Sequence, residues 1–348
     1  MDRLFFGLLI FVPIAVAADF FHWPALAAFF LSAMAIVPLA KFICQATEEL
    51  SSWTGPALGG LLNATFGNAT ELIISVFAIR AGLLEVVKAS ITGSIIGNLL
   101  LVLGMAMFCG GLRHKRQTFN RTGVMVGSST LLLAVIAIVI PAIFQQTAPE
   151  IPGPVIERLS LCVSVCMLSV YLASLWFMLV THKHLYAGEL DEHSAQWSTR
   201  KSILVLLLAT ILVAWLSEIL VGSIKPLVER LGWTQLFIGV IFIAIIGNAA
   251  EHASAVVMAM KNRMDLALQI SIGSATQIAM FVAPFLVLSS LFLRHRMSLV
   301  FNTFEIISIF LSVLIANLVV DDGESNWLDG VQLLMAYAIM AVAFFFHP

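Results

Sequence analysis

Apolar residues run along this chain in long blocks, without the strict alternation of half-buried strands. A membrane-spanning helix needs about 20 predominantly apolar residues. Eleven stretches approach that length, at residues 4–18, 23–43, 56–80, 86–110, 122–145, 155–181, 202–222, 234–259, 265–293, 299–320 and 327–346. Polar residues gather in the short intervals between them. The pattern predicts an all-α polytopic membrane protein with about eleven transmembrane helices. The first stretch resembles a cleaved secretory leader in part, with Arg3 ahead of an apolar core and Ala15-Val16-Ala17 ahead of Asp19. It is read here as a retained first helix.

Composition agrees with the pattern. Of the residues, 60% are hydrophobic and only 11% charged, whereas a soluble domain carries about 25% charged residues. The net charge of −2 gives nucleic acid nothing to bind. Cys162 and Cys166 stand four apart within one apolar stretch and form no CxxC pair, so neither a disulfide nor a soft-metal role is expected. Orientation follows from the basic residues. With eleven spans, the side of the N-terminus carries Arg3, Lys41, Arg113, Lys115, Arg116, Arg121, Lys183, Arg200, Lys201, Lys261 and Arg263. The other side carries Arg80, Lys88, Arg158, Lys225, Arg230, Arg294 and Arg296. The N-terminus is therefore expected in the cytoplasm, and the compact chain points to a prokaryotic inner membrane.

The chain repeats itself. Gly67-Asn68-Ala69-Thr70-Glu71 recurs 180 residues later as Gly247-Asn248-Ala249-Ala250-Glu251, and at the same offset Gly59 matches Gly239 and Gly93-Ser94 matches Gly273-Ser274. One register held over this length is not a chance recurrence. The expected organisation is a first helix (1–22), a five-helix repeat (23–181), a polar cytoplasmic linker (182–200) and a second five-helix repeat (201–348). Five spans per repeat place the second in the opposite orientation to the first. That is the inverted repeat of many secondary transporters, whose sites lie near the midplane where the repeats meet.

Glu71 and Glu251 both lie deep in apolar sequence with no Lys or Arg beside them. A charge at the bilayer centre costs roughly 2.5–3.5 kcal/mol even on insertion scales, so such residues are functional candidates. Helical spacing sets Asn68 and Ser75 on the face of Glu71, and Asn248 and Ser254 near that of Glu251. Breaks at Gly67 and Gly247 would free backbone carbonyls to face a cavity. The following helices add Ser94 and Asn98 in the first repeat, and Ser274 and Gln277 in the second. Two carboxylates amid amides and hydroxyls suit a hard divalent cation, and calcium, with six to eight oxygens in a flexible shell, fits better than magnesium. A low-dielectric setting favours the neutral carboxyl and a bound cation the ionised one, so protons and calcium would compete for one site. His252 lies about 100° around the helix from Glu251 and is expected to modulate the site without ligating. No cofactor is implied beyond calcium as the transported substrate.

The paired signatures resemble those of the cation/proton exchanger (CAX) family of the calcium/cation antiporter superfamily, and the resemblance covers nearly the whole chain. It implies calcium/proton antiport with Glu71 and Glu251 alternately holding calcium and protons, and Asn68 and Asn248 lining the site. It also implies that the helices bearing Glu48 and Glu218 gate access from the two sides. Sodium-coupled members usually carry a Gly-Thr-Ser type sequence where this chain has Gly-Asn, which favours protons over sodium. Between the halves, family members often carry a strongly acidic stretch, of which only Glu189, Asp191 and Glu192 are found here. The acidic group Asp321, Asp322, Glu324 and Asp329 is expected to be a solvated loop.

Alternatives are a sodium-coupled calcium exchanger and a cation channel. An intramembrane metal hydrolase is a poorer reading, because Asn248 stands where H-x-x-E-H needs a histidine. A homo-oligomer in the bilayer is compatible with the chain.

Overall fold

The structure, a computed structural model, describes residues 2–182 and 195–347. Two short helices, α1 (Asp2–Leu8) and α2 (Phe11–Phe20), precede α3 (Ala25–Phe66) and α4 (Ala69–Arg80). Then come α5 (Leu84–Arg113), α6 (Arg121–Thr147), α7 (Gly153–Thr181), α8 (Thr199–Gly222) and α9 (Ile224–Leu231). The chain finishes with α10 (Gln235–Met260), α11 (Met264–Ser290), α12 (Thr303–Val320) and α13 (Trp327–Phe346). Among the described residues, nine stretches are long and apolar enough to cross a membrane. The polar linker expected at 182–200 falls largely outside the described residues, as do Glu189, Asp191 and Glu192.

Two of the eleven expected stretches are built differently. The first is not one helix, because Pro13 removes a donor and crowds the carbonyl four residues back, and a turn at Leu9-Ile10 separates α1 from α2. Its apolar run, Phe5–Phe20, is shorter than the other spans. The third, expected at 56–80, is shared between the end of α3 and α4. Within α3 the Ser51 hydroxyl donates to the Gly59 carbonyl at 2.9 Å. A straight helix would hold residues eight apart about 12 Å from each other. The helix therefore doubles back between them, where the sequence reads Gly55-Pro56.

Contacts between distant segments sort the helix ends into two sets. At the linker end, Trp53 Nε1–H donates to the Trp197 carbonyl at 3.0 Å and Gln117 Nε2 to that of Ala259 at 2.9 Å. Arg121 pairs with Asp321, and β1 (Gln117–Thr118) runs antiparallel to β2 (Glu324–Ser325). Two of the four acids of the 321–329 group thus hold surface ion pairs, Asp321 with Arg121 and Glu324 with Arg116. At the opposite end, Lys88 Nζ donates to the Val300 carbonyl at 2.6 Å and Arg296 pairs with Glu157 at 3.1 Å. The α4 end meets this same set, with Ile79 carbonyl against His295 Nδ1 at 3.2 Å. Conversely, α10 starts there, Phe237 against Phe345, and finishes at the linker end, Met260 carbonyl against His114 Nε2. The two helices that carry the repeated signature run antiparallel.

Glycines set how closely α5 and α10 approach. A Cβ on Gly93 would lie 2.0 Å from the Val240 carbonyl oxygen, and one on Gly239 would lie 2.5 Å from the Ala89 Cβ. The backbones touch at this crossing, as small residues allow between membrane helices. Gly93→Ala is expected to destabilise the protein by about 1–3 kcal/mol through overpacking, read as a lower Tm in detergent. The repeat-related Gly273→Ala should leave the Tm unchanged, because a Cβ at Gly273 meets nothing within 4 Å.

Candidate functional site

The first signature breaks its helix. Helix α3 ends at Phe66, Asn68 has non-helical torsions (φ −101°, ψ 21°), and α4 starts at Ala69. Glu71 thereby falls in the first turn of a new helix, where the helix dipole favours a negative charge. The second signature does not break. Helix α10 passes through Gly247 unbroken, and its irregularity lies one turn earlier, in the wide π-helical turn Ile238–Ile243. The expected break at Gly247 is therefore corrected to a notch. A Cβ there would come within 2.8 Å of Glu71 Cγ and 3.2 Å of Glu71 Oε1. The missing side chain of the second signature is the space that holds the carboxylate of the first.

Four helices contribute polar side chains around this notch. Asn68 Nδ2 donates to Gln277 Oε1 at 2.7 Å. Asn248 Nδ2 donates to Ser94 Oγ at 2.9 Å and to the Ala244 carbonyl at 2.8 Å. Asn98 Nδ2 reaches Ser274 Oγ at 3.1 Å and Asn248 Oδ1 at 3.4 Å, and Ser274 Oγ in turn donates to Glu251 Oε2. Asn98 sits in the π-helical turn Gly97–Val102 and Gln277 immediately before another, Ile278–Val282. Such widened turns recur at functional sites.

The network leaves particular atoms without partners. Glu71 Oε1 and Oε2, Asn68 Oδ1 and Asn98 Oδ1 are buried and accept no hydrogen bond. Glu71 is only 4% exposed, and among the described residues its carboxylate has no basic partner: the ion pairs lie at the surface. Glu251 joins the same cluster through Ser274. A buried carboxylate with nothing to accept from is costly, so this one calls for a proton or a cation. Among the described residues no three His, Cys, Asp or Glu stand together. A cation here would draw on amide and hydroxyl oxygens as well as two carboxylates, as a hard ion does and a soft metal does not.

Eight expected site residues are thus gathered: Asn68, Glu71, Ser94, Asn98, Asn248, Glu251, Ser274 and Gln277. Ser254 is not joined to this network; its hydroxyl donates to the Ala250 carbonyl of its own helix at 2.9 Å. Ser75 and His252 are buried, but neither belongs to the hydrogen-bonded network described above. Glu48 and Glu218 are exposed and lie outside it as well.

The family follows from most of the chain, because residues 24–180 and 201–346 match the sodium/calcium exchanger protein family. The chain belongs to that family. It is 46% identical to the Ca2+/H+ antiporter of Aphanothece halophytica, over 100% of this chain and 97% of that protein. It is 47% identical to the Ca2+/H+ antiporter ChaA of Bacillus subtilis, over 99% of each. Among solved structures it resembles native YfkE, with a TM-score of 0.87 and 44% identity over 99% of this chain and 100% of that one.

Among the described residues one cavity reaches the exchanger's site and another opens elsewhere. One, about 420 Å³, lies among α6, α7 and α11; its walls are mainly apolar, and it extends from Asp265 near the linker end to Gln277, the partner of Asn68. The other, about 470 Å³, lies where α2 meets α8 and is lined by Asp19, His22 and Glu218. Sequence reasoning gave Gly247 the role of a helix break and Gly273 none beyond its register. The offset of 180 was the available signal that the position of Gly247 matters.

Proposed function

We propose that this exchanger moves calcium against protons by alternating access, with Glu71 and Glu251 alternately holding the cation and protons. The observation that carries this reading is the buried Glu71 carboxylate, whose oxygens have no hydrogen-bond donor, set beside Asn68 and Asn98 oxygens in the same condition. Ionised, the pair offers charge −2 to a divalent cation; protonated, it is neutral. Both loaded forms can cross occluded, while the empty ionised site is costly, which suppresses uncoupled return. Asn68 and Asn98 serve as neutral oxygen ligands. Asn248, Ser94, Ser274 and Gln277 hold those groups in place.

The protein acts as a transporter and not as an enzyme. The basic residues support a cytoplasmic N-terminus and a cytoplasmic linker end, in a prokaryotic inner membrane. Glu48 then stands near the cytoplasmic entrance and Glu218 near the opposite one, with His252 tuning the site from behind. The sodium-coupled reading is not favoured: the curated relatives at 46–47% identity carry the name Ca2+/H+ antiporter.

The test is purified protein in liposomes, acidic inside, with calcium and no sodium outside. Calcium entry with matching proton exit is expected. Calcium affinity should fall as pH falls, with a slope approaching two in log affinity per pH unit if two protons leave per calcium. Uptake that awaits a sodium gradient would place the protein in the sodium-coupled branch. Calcium entry that persists with the pH gradient collapsed, at fixed potential, would make it a channel.

A further inference from the structure

Outside the site, one further carboxylate is buried among the described residues. Glu305, in the first turn of α12, is only 3% exposed. Its Oε2 accepts from the Asn302 backbone N–H at 3.0 Å, and its Oε1 from the Thr92 hydroxyl of α5 at 3.1 Å. One turn before Thr92, the half-buried Lys88 donates from Nζ to the Val300 carbonyl at 2.6 Å, just ahead of the same α12. Charged groups are costly to bury in a membrane protein, and neither of these belongs to the calcium site.

The two α5 donors stand four residues apart, on one face of the helix. Thr92 lies about 200° around the helix from Ser94, so this face is turned away from the one that carries Ser94 to Asn248. Helix α5 is thus held from behind while its front carries site groups. The glycine crossing with α10 sets how closely α5 approaches, but glycines raise no ridge that would stop it sliding along its axis. The bonds at its back do, because both acceptors are themselves fixed. Glu305 is held by its capping box with Asn302. Val300 follows Leu299, whose N–H donates to Ser160 Oγ of α7 at 3.1 Å.

The second repeat has no such anchor. At the offset of 180, Lys88 and Thr92 correspond to Leu268 and Ile272, which line the mainly apolar 420 Å³ cavity beside α11. The repeat therefore folds without polar groups at these positions, and their presence on α5 has a reason other than packing. We infer that Lys88 and Thr92, through Val300 and Glu305, set the height of α5 and so place Asn98 Oδ1 where calcium binds. They are positioning residues and touch no cation. Asn98 stands ten residues beyond Lys88, about 15 Å along the helix. Its amide nitrogen reaches Ser274 Oγ and Asn248 Oδ1, while its own Oδ1 is unpartnered. The aim of that oxygen therefore depends on the backbone that carries it. This rests on Asn98 serving as a calcium ligand, as proposed above.

A double-mutant cycle tests it, read as the calcium affinity of the purified protein at one pH, with Tm in detergent alongside. Lys88→Met keeps the stem and removes the donor; it should weaken calcium binding about tenfold, since small displacements of an aligned group are costly. Lys88→Arg still donates and should stay within about threefold of the parent. In an Asn98→Ala background the aimed oxygen is gone, so Lys88→Met should weaken binding by less than about twofold more, whatever it does to Tm. A merely structural anchor would lower Tm in both backgrounds and leave the cycle additive. An additive cycle, or equal losses with Met and with Arg, would overturn the proposal. If Lys88→Met does not fold, Thr92→Val enters the same cycle, with a loss of about threefold expected in the parent, as for one hydrogen bond, and none beyond that of Asn98→Ala. Parental affinity in Thr92→Val and in any folded Lys88→Met would overturn the proposal too. Asn98→Ala alone reports on the ligand reading. Parental affinity there would remove Asn98 from the site and this inference with it, a failure distinct from an additive cycle, in which Asn98 binds calcium but Lys88 does not place it.

Discussion

Glu71→Gln is expected to abolish calcium uptake and proton counterflow together. The substitution keeps shape and volume while removing the charge and the titrating proton. Because both Glu71 oxygens are buried without donors, the carboxylate contributes no hydrogen bond to the fold that its loss would break. The folded state should be retained or stabilised, since a buried charge disappears. Calcium affinity should fall by at least about a hundredfold, or about 2.8 kcal/mol. Calcium binding to purified protein, with exchange in liposomes, checks both parts. A variant that still exchanges at parental rate would remove Glu71 from the pathway. Glu71→Asp keeps the charge but withdraws it from the notch, and should retain a measurable fraction of exchange.

Gly247→Val should come close to the same loss while leaving both carboxylates in the chain. Its Cβ position lies 2.8 Å from Glu71 Cγ and 3.1 Å from Glu71 Cδ, so the carboxylate must move by an ångström or more. Displacements of that size cost on the order of a hundredfold where reacting or binding groups must be aligned. The effect should fall on calcium affinity and exchange, with a smaller cost in Tm than Gly93→Ala, because the obstructed atoms belong to a side chain and not to a packed backbone. Gly67→Ala offers the contrast. It crowds the Asn63 carbonyl at 2.6 Å and acts on the break between α3 and α4 rather than on the carboxylate. Parental calcium affinity in Gly247→Val would show that the notch does not position Glu71.

What could be read from the sequence was whatever the two halves share. The signatures, their carboxylates and the polar positions at 94, 98, 274 and 277 stood out because charged and amide groups are rare in apolar stretches, and one register tied them together. What could not be read was where the halves differ. Both copies carry Gly-Asn, yet one helix breaks at Asn68 and the other runs on; Gly67 itself keeps helical torsions (φ −54°, ψ −43°), so the break does not draw on the wider φ range open to glycine. Ser254 shares the face of Glu251 by spacing, but a serine inside a helix can donate its hydroxyl to the carbonyl four residues back, as Ser254 does, and the spacing does not tell that bond from one to a neighbouring helix. The reversal between Ser51 and Gly59 falls at the boundary the sequence placed between the stretches 23–43 and 56–80; what it did not show is that the helix continues through it to Phe66. The clasp in which Glu49 accepts from the backbone N–H groups of Gln196 and Trp197 left no local pattern, because its partners lie some 150 residues apart.

The antiparallel signature helices have a thermodynamic consequence. The two halves of the chain carry matching parts in reverse orientation: a Gly-Asn-Ala segment and a carboxylate apiece, meeting at one site. A carrier built this way supplies no work of its own, and the gradients on either side of the bilayer decide which way each ion moves.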